Sequence, residues 1–257
     1  MRRMRHLKPR EIQGCDVAYQ FWRPETLYDA TSGGALVGSG GTIARADDVS
    51  GNGNHATQAS LGDRPTRQVA AQNGMDAATF DGVSDYLSAG DVADMLSNPV
   101  ECYAVLIRTG ASGLKGIMGK SRAAASAGLW SLLHGAIAGE DNFYFSGSGI
   151  TAVSPGIATS TSLQVLYGHT PRGNTTVDVS RNSDAPDSMA LTDTGASQNT
   201  ANLLFIGAYQ SSTGTGLAAN SFIGGDILEC AKYSVSLTSE TRRRVKDAAM
   251  RRARITG

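Results

Sequence analysis

The feature that most constrains this chain is a succession of short apolar runs, each closed by a cluster of Gly, Ser, Asn or Thr. Such runs occupy residues 78–80, 85–89, 101–108, 115–120, 128–134, 142–146, 162–169, 175–181, 202–209 and 221–234, with an earlier one at 15–22. Short strands at this spacing, separated by turn residues, argue for a sandwich or a barrel. The run at 101–108 is apolar on both alternating faces: Tyr103, Val105 and Ile107 against Cys102, Ala104 and Leu106. That pattern suits a strand covered on both sides. Asp81-Gly82, between two apolar runs, reads as a turn. Residues 31–64 are loop-rich, and their Gly and Asn residues supply turns with positive φ. Residues 91–97 predict one or two helical turns before Asn98-Pro99.

One longer helix is predicted, over 237–255. It opens on Thr and Ser capping residues, continues in strong helix formers, and has a thin apolar face of Val245, Ala248, Ala249 and Ile255. The expected organisation is a basic extended arm over 1–14, a sandwich over 15–236 and a basic helix over 237–257 packed on the sandwich. At 257 residues such a chain buries a core without disulfide staples.

The net charge of zero conceals an asymmetry. Residues 1–10 carry five basic and no acidic groups, residues 242–257 seven basic and one acidic, and the body between them 11 basic and 22 acidic. Arg2, Arg3, Arg5, Arg242, Arg243, Arg244, Arg251 and Arg252 are the candidate assembly contacts, because a basic end seeks an acidic surface. Three readings stay open for these ends: folding back on an acidic body, docking on a protein in an assembly, and, least favoured, nucleic acid. The charged N-terminus is not followed by an apolar stretch, so it is not read as a signal peptide. Two stretches free of Asp, Glu, Lys and Arg, 142–171 and 194–225, are broken by Gly, Ser, Thr and Asn and are not membrane spans. Cys15, Cys102 and Cys230 have no metal-ligand spacing and read as free thiols, with a Cys102–Cys230 bridge open only to neighbouring strands.

Two segments carry a resemblance. Residues 48–58 read DVSGNGNHATQ, Arg64-Pro65-Thr66 follows, and residues 80–87 read FDGVSDYL. Residues 225–229 read GDILE, and residues 237–242 read LTSETR. In this order the chain resembles the laminin-G-like branch of the concanavalin A-like lectin/glucanase superfamily, of the kind frequent in bacteriophage virion proteins. The resemblance implies an all-β jelly roll of two packed antiparallel sheets with the C-terminal helix outside. It departs from the usual pattern where Ala248, Ala249 and Ala253 replace larger apolar residues, so the helix is expected to bury less and to offer its basic surface to a partner.

The glucanase members of that superfamily carry an E-x-D-x-E strand. This chain has none, and hydrolysis of a sugar bond needs two carboxylates. Asp226 and Glu229 come nearest, and a regular strand puts them on opposite faces. His6, His55, His134 and His169 stand singly, no G-x-S-x-G elbow is present, and the Gly-rich loops lack the Lys-Ser/Thr of a phosphate loop. The expectation is a protein that is not an enzyme and requires no cofactor. Calcium is the one metal carried, with Asp47, Asp48, Asn52, Asn54, Asp81 and Asp85 in the two signature loops as candidate ligands and Asx turns as the competing account. Trp22, Trp130, Tyr144, Tyr167 and Tyr209 are the candidates for stacking on sugar rings, although their places in strands favour core packing.

The resemblance makes the leading expectation a virion accessory protein, decorating the capsid or sitting on the tail. It would be made in the host cytoplasm, displayed on the virion surface in symmetric or homo-oligomeric copies, and attached to other virion proteins. The alternative is a glycan-binding adhesion module, with or without calcium, whose partner is a cell-surface glycan.

Overall fold

The computed structural model describes residues 8–93, 100–109, 113–120, 129–134, 140–147, 150–153, 157–158, 160–170, 176–190, 203–210 and 217–255. Among them the strands, in chain order, are β1 (Cys15–Gln20), β2 (Leu27–Tyr28), β3 (Arg45–Ala46), β4 (Ala56–Thr57), β5 (Thr66–Gln72), β6 (Met75–Asp81), β7 (Leu87–Gly90), β8 (Val100–Arg108) and β9 (Lys115–Lys120). They continue with β10 (Leu129–His134), β11 (Glu140–Gly147), β12 (Ile150–Val153), β13 (Ile157–Ala158), β14 (Gln164–Thr170), β15 (Thr176–Arg181), β16 (Asp187–Ala190), β17 (Leu204–Ile206) and β18 (Gly224–Tyr233). One helix, α1 (Ser239–Arg252), closes the chain.

The strands form two antiparallel sheets. The first runs β16-β15-β14-β8-β18-β6-β5, and β1 joins β18 beside β6. The second runs β12-β11-β10-β9-β17-β7-β4-β3-β2, with β13 on β11. Side chains such as Phe80, Leu106, Trp130, Phe143, Leu166, Ile206 and Ile227 fill the space between the sheets. A second apolar cluster lies on the other face of the first sheet, where Tyr103, Tyr167, Leu228 and Tyr233 meet Val245, Ala249 and Met250 of α1 and Ala253 just beyond it. The molecule is a β-sandwich with a helix layered on one sheet.

The first sheet's central strand, β18, contains an irregularity. Its register against β8 pairs Ile227 with Leu106 but Glu229 with Val105, so one extra residue is inserted on β18. The bulge breaks the alternation of faces. Asp226 pairs with Thr79 on the helix-covered face, Ile227 points between the sheets, and Leu228 and Glu229 both return to the helix side. The expectation that Asp226 and Glu229 oppose one another is thereby corrected. They share a face because the bulge adds a residue that a regular strand does not have.

Other departures have equally local causes. Within the run at 202–209 the strand Leu204–Ile206 ends where Gly207 takes φ +91, and a Cβ there would sit 2.4 Å from Phe80. Within the loop-rich region, β2, β3 and β4 are two residues long, too short to show a period. β5 is an exposed edge strand interrupted between Gln68 and Gln72, where Ala70 has φ 52. The stretch after Lys8 is not an extended arm: Pro9–Glu11 form a 3₁₀ turn and Ile12 is buried among the residues under α1. The helical turns expected at 91–97 fall largely outside the described residues. Cys102 and Cys230 do lie on neighbouring strands, but the register sets Cys102 opposite Lys232 and Cys230 opposite Ala104, and both are free thiols. Burial raises their pKa values.

Candidate functional site

Thr238 caps α1 by accepting from the Thr241 N–H at 3.1 Å, and the helix then crosses the first sheet. Residues at i and i+4 share a helix face, so Arg242 and Lys246 both point toward the sheet below. There β14 and β15 pair with Tyr167 opposite Ser180 and His169 opposite Asp178. Between this floor and the helix lies a cleft of about 460 Å³, lined among others by His169, Asp178, Ser180, Arg242, Arg243 and Lys246.

Burial and charge organise the cleft. Glu101, on β8, is fully buried and receives Arg242 in a bidentate pair, Nε to Oε2 at 3.0 Å and Nη2 to Oε1 at 2.8 Å. The Tyr167 hydroxyl and the Leu237 N–H also donate to Glu101. Arg242 Nη2 donates to His169 Nε2 at 2.8 Å. A guanidinium only donates, so His169 accepts at Nε2 and carries its proton on Nδ1. That N–H reaches Asp178 Oδ2 at 2.9 Å. Burial alone would raise the Asp178 pKa, but the His169 hydrogen bond and the nearby Ser188 and Thr176 hydroxyls hold it below the ordinary carboxylate value. Asp178 Oδ1 is buried and has no hydrogen-bond partner. The Lys246 ammonium bonds only weakly, at 3.3 Å to Ser180 Oγ and 3.3 Å to the Asp184 carbonyl. Its pKa is lowered by burial and by the charge of Arg242, against the opposing pull of Asp184 and Asp247.

Among the candidate assembly contacts, Arg242 and Arg252 turn inward onto Glu101 and Glu229. Arg243 pairs along the helix with Glu240 and Asp247. Arg244 and Arg251 are exposed, while Arg2, Arg3 and Arg5 lie outside the described residues. Folding back onto the acidic body is therefore what the two helix arginines at Arg242 and Arg252 do.

Of the stacking candidates, Trp130, Tyr167 and Tyr209 are buried, and Tyr167 lies in the floor of the cleft beneath α1. Trp22 is half-buried, with its indole N–H donated to Glu229 at 3.0 Å. Tyr144 lies on β11 with its side chain outside the described residues. Tyr86 is half-buried like Trp22, edge-on to Phe205 at 5.8 Å and near exposed Val83 on the same turn.

The loop carboxylates expected to serve calcium are occupied by donors. Asp48 Oδ1 accepts the N–H groups of Ala18 and Ser50, and Oδ2 accepts the Ser50 hydroxyl and the Asn54 N–H. Asn52 and Asn54 donate to the carbonyls of Cys15 and Asp16. Asp47 pairs with Arg45, and His55 Nδ1 beside it accepts the Asp48 N–H. Asp81 Oδ1 accepts from Val83, Ser84 and Asp85, and Asp85 accepts from the Asp81 N–H. Among the described residues, no group of three His, Cys, Asp or Glu side chains is placed to hold a metal ion. The carboxylates of Asp48 and Asp81 accept the N–H groups of their own loops, which is the Asx-turn account of these residues.

No protein-family model and no curated protein sequence matches the chain. Solved structures do. Domain 4 of AbnA, a GH43 extracellular arabinanase from Geobacillus stearothermophilus, in complex with arabinotriose, superposes with TM-score 0.59 at 16% identity, over 91% of this chain and 98% of that one. The fold is that of a lectin-like β-sandwich. A mutant GH54 α-L-arabinofuranosidase reaches TM-score 0.63 at 12% identity, and the binding domain of Paraclostridial Mosquitocidal Protein 1 reaches 0.59 at 8%. These two cover 91% and 94% of this chain but only 62% and 53% of their own. No described helix of this sandwich is long and apolar enough to cross a membrane.

Sequence reasoning did not single out Asp178, Ser180 or Lys246. Tyr167 and His169, and likewise Asp178 and Ser180, alternate as one strand face should, and that signal was available. Which strand lies beside which was not.

Proposed function

We propose that this chain is a carbohydrate-binding module that works without chemistry. The observation that carries the reading is the match along nearly the full length of a separate domain solved in complex with arabinotriose. Likeness of fold is not likeness of function, so the reading also leans on the polar cleft beneath α1, whose volume is in the range of small-molecule clefts, roughly 300–1,000 Å³. The carboxylates nearest to a hydrolytic pair support binding over catalysis. Asp226 is taken by Gln72 and Thr79, and Glu229 is enclosed by Arg252, Trp22 and Tyr103.

Membership of the laminin-G-like branch and a place on a phage particle rest on the sequence motifs. Attachment through basic groups would fall to Arg244, Arg251 and the N-terminal residues, since Arg242 and Arg252 are engaged within the chain. The test is a glycan array spanning neutral, carboxylated and sulfated saccharides, with bound glycans recovered and sized afterwards. Saturable binding with intact glycans is expected. Absence of binding to every class would overturn the module, and shortened glycans would overturn its non-enzymatic character.

A further inference from the structure

We infer that the cleft beneath α1 takes an uncharged saccharide, with Asp178 Oδ1 accepting one sugar hydroxyl and Lys246 Nζ donating to another. The inference rests on the glycan-binding reading and adds the site and the ligand class.

The charges come first. Arg242 is matched by Glu101, and Arg243 by Glu240 and Asp247. Two charged groups of the cleft remain without a Lys, Arg, Asp or Glu partner in an ion pair: Lys246, and Asp178, which is held by His169 and by the Ser188 and Thr176 hydroxyls. They are opposite in sign and offset one another, so the cleft has no surplus charge with which to attract an acid sugar. A ligand carboxylate would also have to approach the Asp178 carboxylate in a partly desolvated space, where like charges repel strongly.

Unmet hydrogen bonding comes second. His169 fixes Asp178 through Oδ2, which leaves Oδ1 buried as an acceptor without a donor. Such a group loses its hydration on folding and recovers it only from a ligand or water that donates. Lys246 offers the reverse. Its ammonium has three N–H groups and two protein contacts, both at 3.3 Å and long for a charged donor. A hydroxyl both donates and accepts, so a polyol satisfies both groups at once.

Spacing comes third. Asp178 and Ser180 are two residues apart on one face of β15, which separates them by about 6.5–7 Å. Lys246 holds Ser180 Oγ, so its head lies across the cleft from Asp178 at roughly the width of one sugar ring.

The test uses the full chain on an array of neutral glycans alongside their uronate and sulfate counterparts. It compares Asp178→Asn, Lys246→Met and, as a control on the exposed helix surface, Arg244→Ala, with thermal melting to confirm folding. Neutral glycans should bind in preference to acidic ones. Asp178→Asn and Lys246→Met should each weaken that binding about tenfold or more, while Arg244→Ala leaves it unchanged. Asp178→Asn, which removes the negative charge, should also gain affinity for uronates. Preference for acidic glycans in the parent protein would overturn the inference and leave the binding module standing. Neutral binding that survives both cleft variants, shown to be folded, would move the site elsewhere and equally overturn it. No binding of any class would remove the module itself.

Discussion

Arg252 closes α1 onto the sheet through Glu229, Nε to Oε2 at 3.0 Å and Nη2 to Oε1 at 2.5 Å, with the glutamate almost completely buried. Gln20, Trp22 and Tyr103 complete the shell around the same carboxylate. Ten residues earlier on the helix, Arg242 does the same to Glu101. The small apolar face of α1 is thus supplemented at both ends by buried charge pairs, whose alignment is more demanding than that of an apolar contact.

Removing one partner of such a pair is costlier than removing both. Arg252→Met should destabilise the protein by about 3–5 kcal/mol, because Glu229 would remain charged and buried without compensation. Adding Glu229→Gln should recover part of that loss. Urea unfolding of the single and double variants measures both, and equal stability of Arg252→Met and the parent would refute the account.

Asp85 sets a pH dependence. Burial, with the adjacent charges of Asp81 and Asp63, raises its pKa to about 6, against the single hydrogen bond it accepts from the Asp81 N–H. A carboxyl whose folded pKa exceeds its unfolded value, about 3.9, stabilises the fold when protonated. Its contribution is complete below about pH 4 and is lost as pH rises through about 6. Asp81 acts in the opposite sense: despite burial, three backbone N–H groups and the Ser84 hydroxyl lower its pKa, so its contribution is lost as pH falls below the ordinary carboxylate range. Asp85→Asn should therefore raise stability at pH 7 by ~1–2 kcal/mol after allowing for solvent screening, and flatten the stability profile between pH 4 and 6 set by these limits. Melting temperatures across that range decide it.

The loop around Asp48 is held by its carboxylate. Asp48→Ala strands the N–H groups of Ala18, Ser50 and Asn54 and should cost about 2–4 kcal/mol. Because these oxygens are already satisfied, millimolar calcium should leave the melting temperature of the parent protein unchanged. A calcium-dependent rise would show that a cation displaces these donors.

Two local substitutions probe the strand and helix ends. Thr238→Ala should cost about 1 kcal/mol by removing the cap, while Thr238→Ser should be close to neutral. Gly225→Ala should be much more severe, since Gly225 has φ +132 and an added Cβ would lie 2.2 Å from the Ile107 carbonyl oxygen. Similar denaturation midpoints for Gly225→Ala and the parent would mean that β18 can shift to admit the methyl group.

The signature residues of the two recognised segments prove to be structural ones. Asp48, Asn52 and Asn54 build a loop, Arg64 donates to the carbonyls of Asp29, Gln58 and Ala59, Asp81 ties its own turn, and Thr238, Arg242 and Glu229 fasten the helix. A motif of this kind reports the fold and is silent about a ligand. That is why the sandwich was legible in the sequence while the cleft was not.

Short-range chemistry writes most of the strands through alternation and turn residues, the helix through its cap and its formers, and the basic character of the C-terminal end. Which groups meet depends on packing between distant parts of the chain. His169 faces Asp178 through a cross-strand register, and Lys246 reaches Ser180 from a helix 66 residues away in the chain. Asp226 and Glu229 share a face because β18 carries one extra residue against β8. Register, layering and bulges are set by the packing of distant side chains, and a single inserted residue reverses every face beyond it.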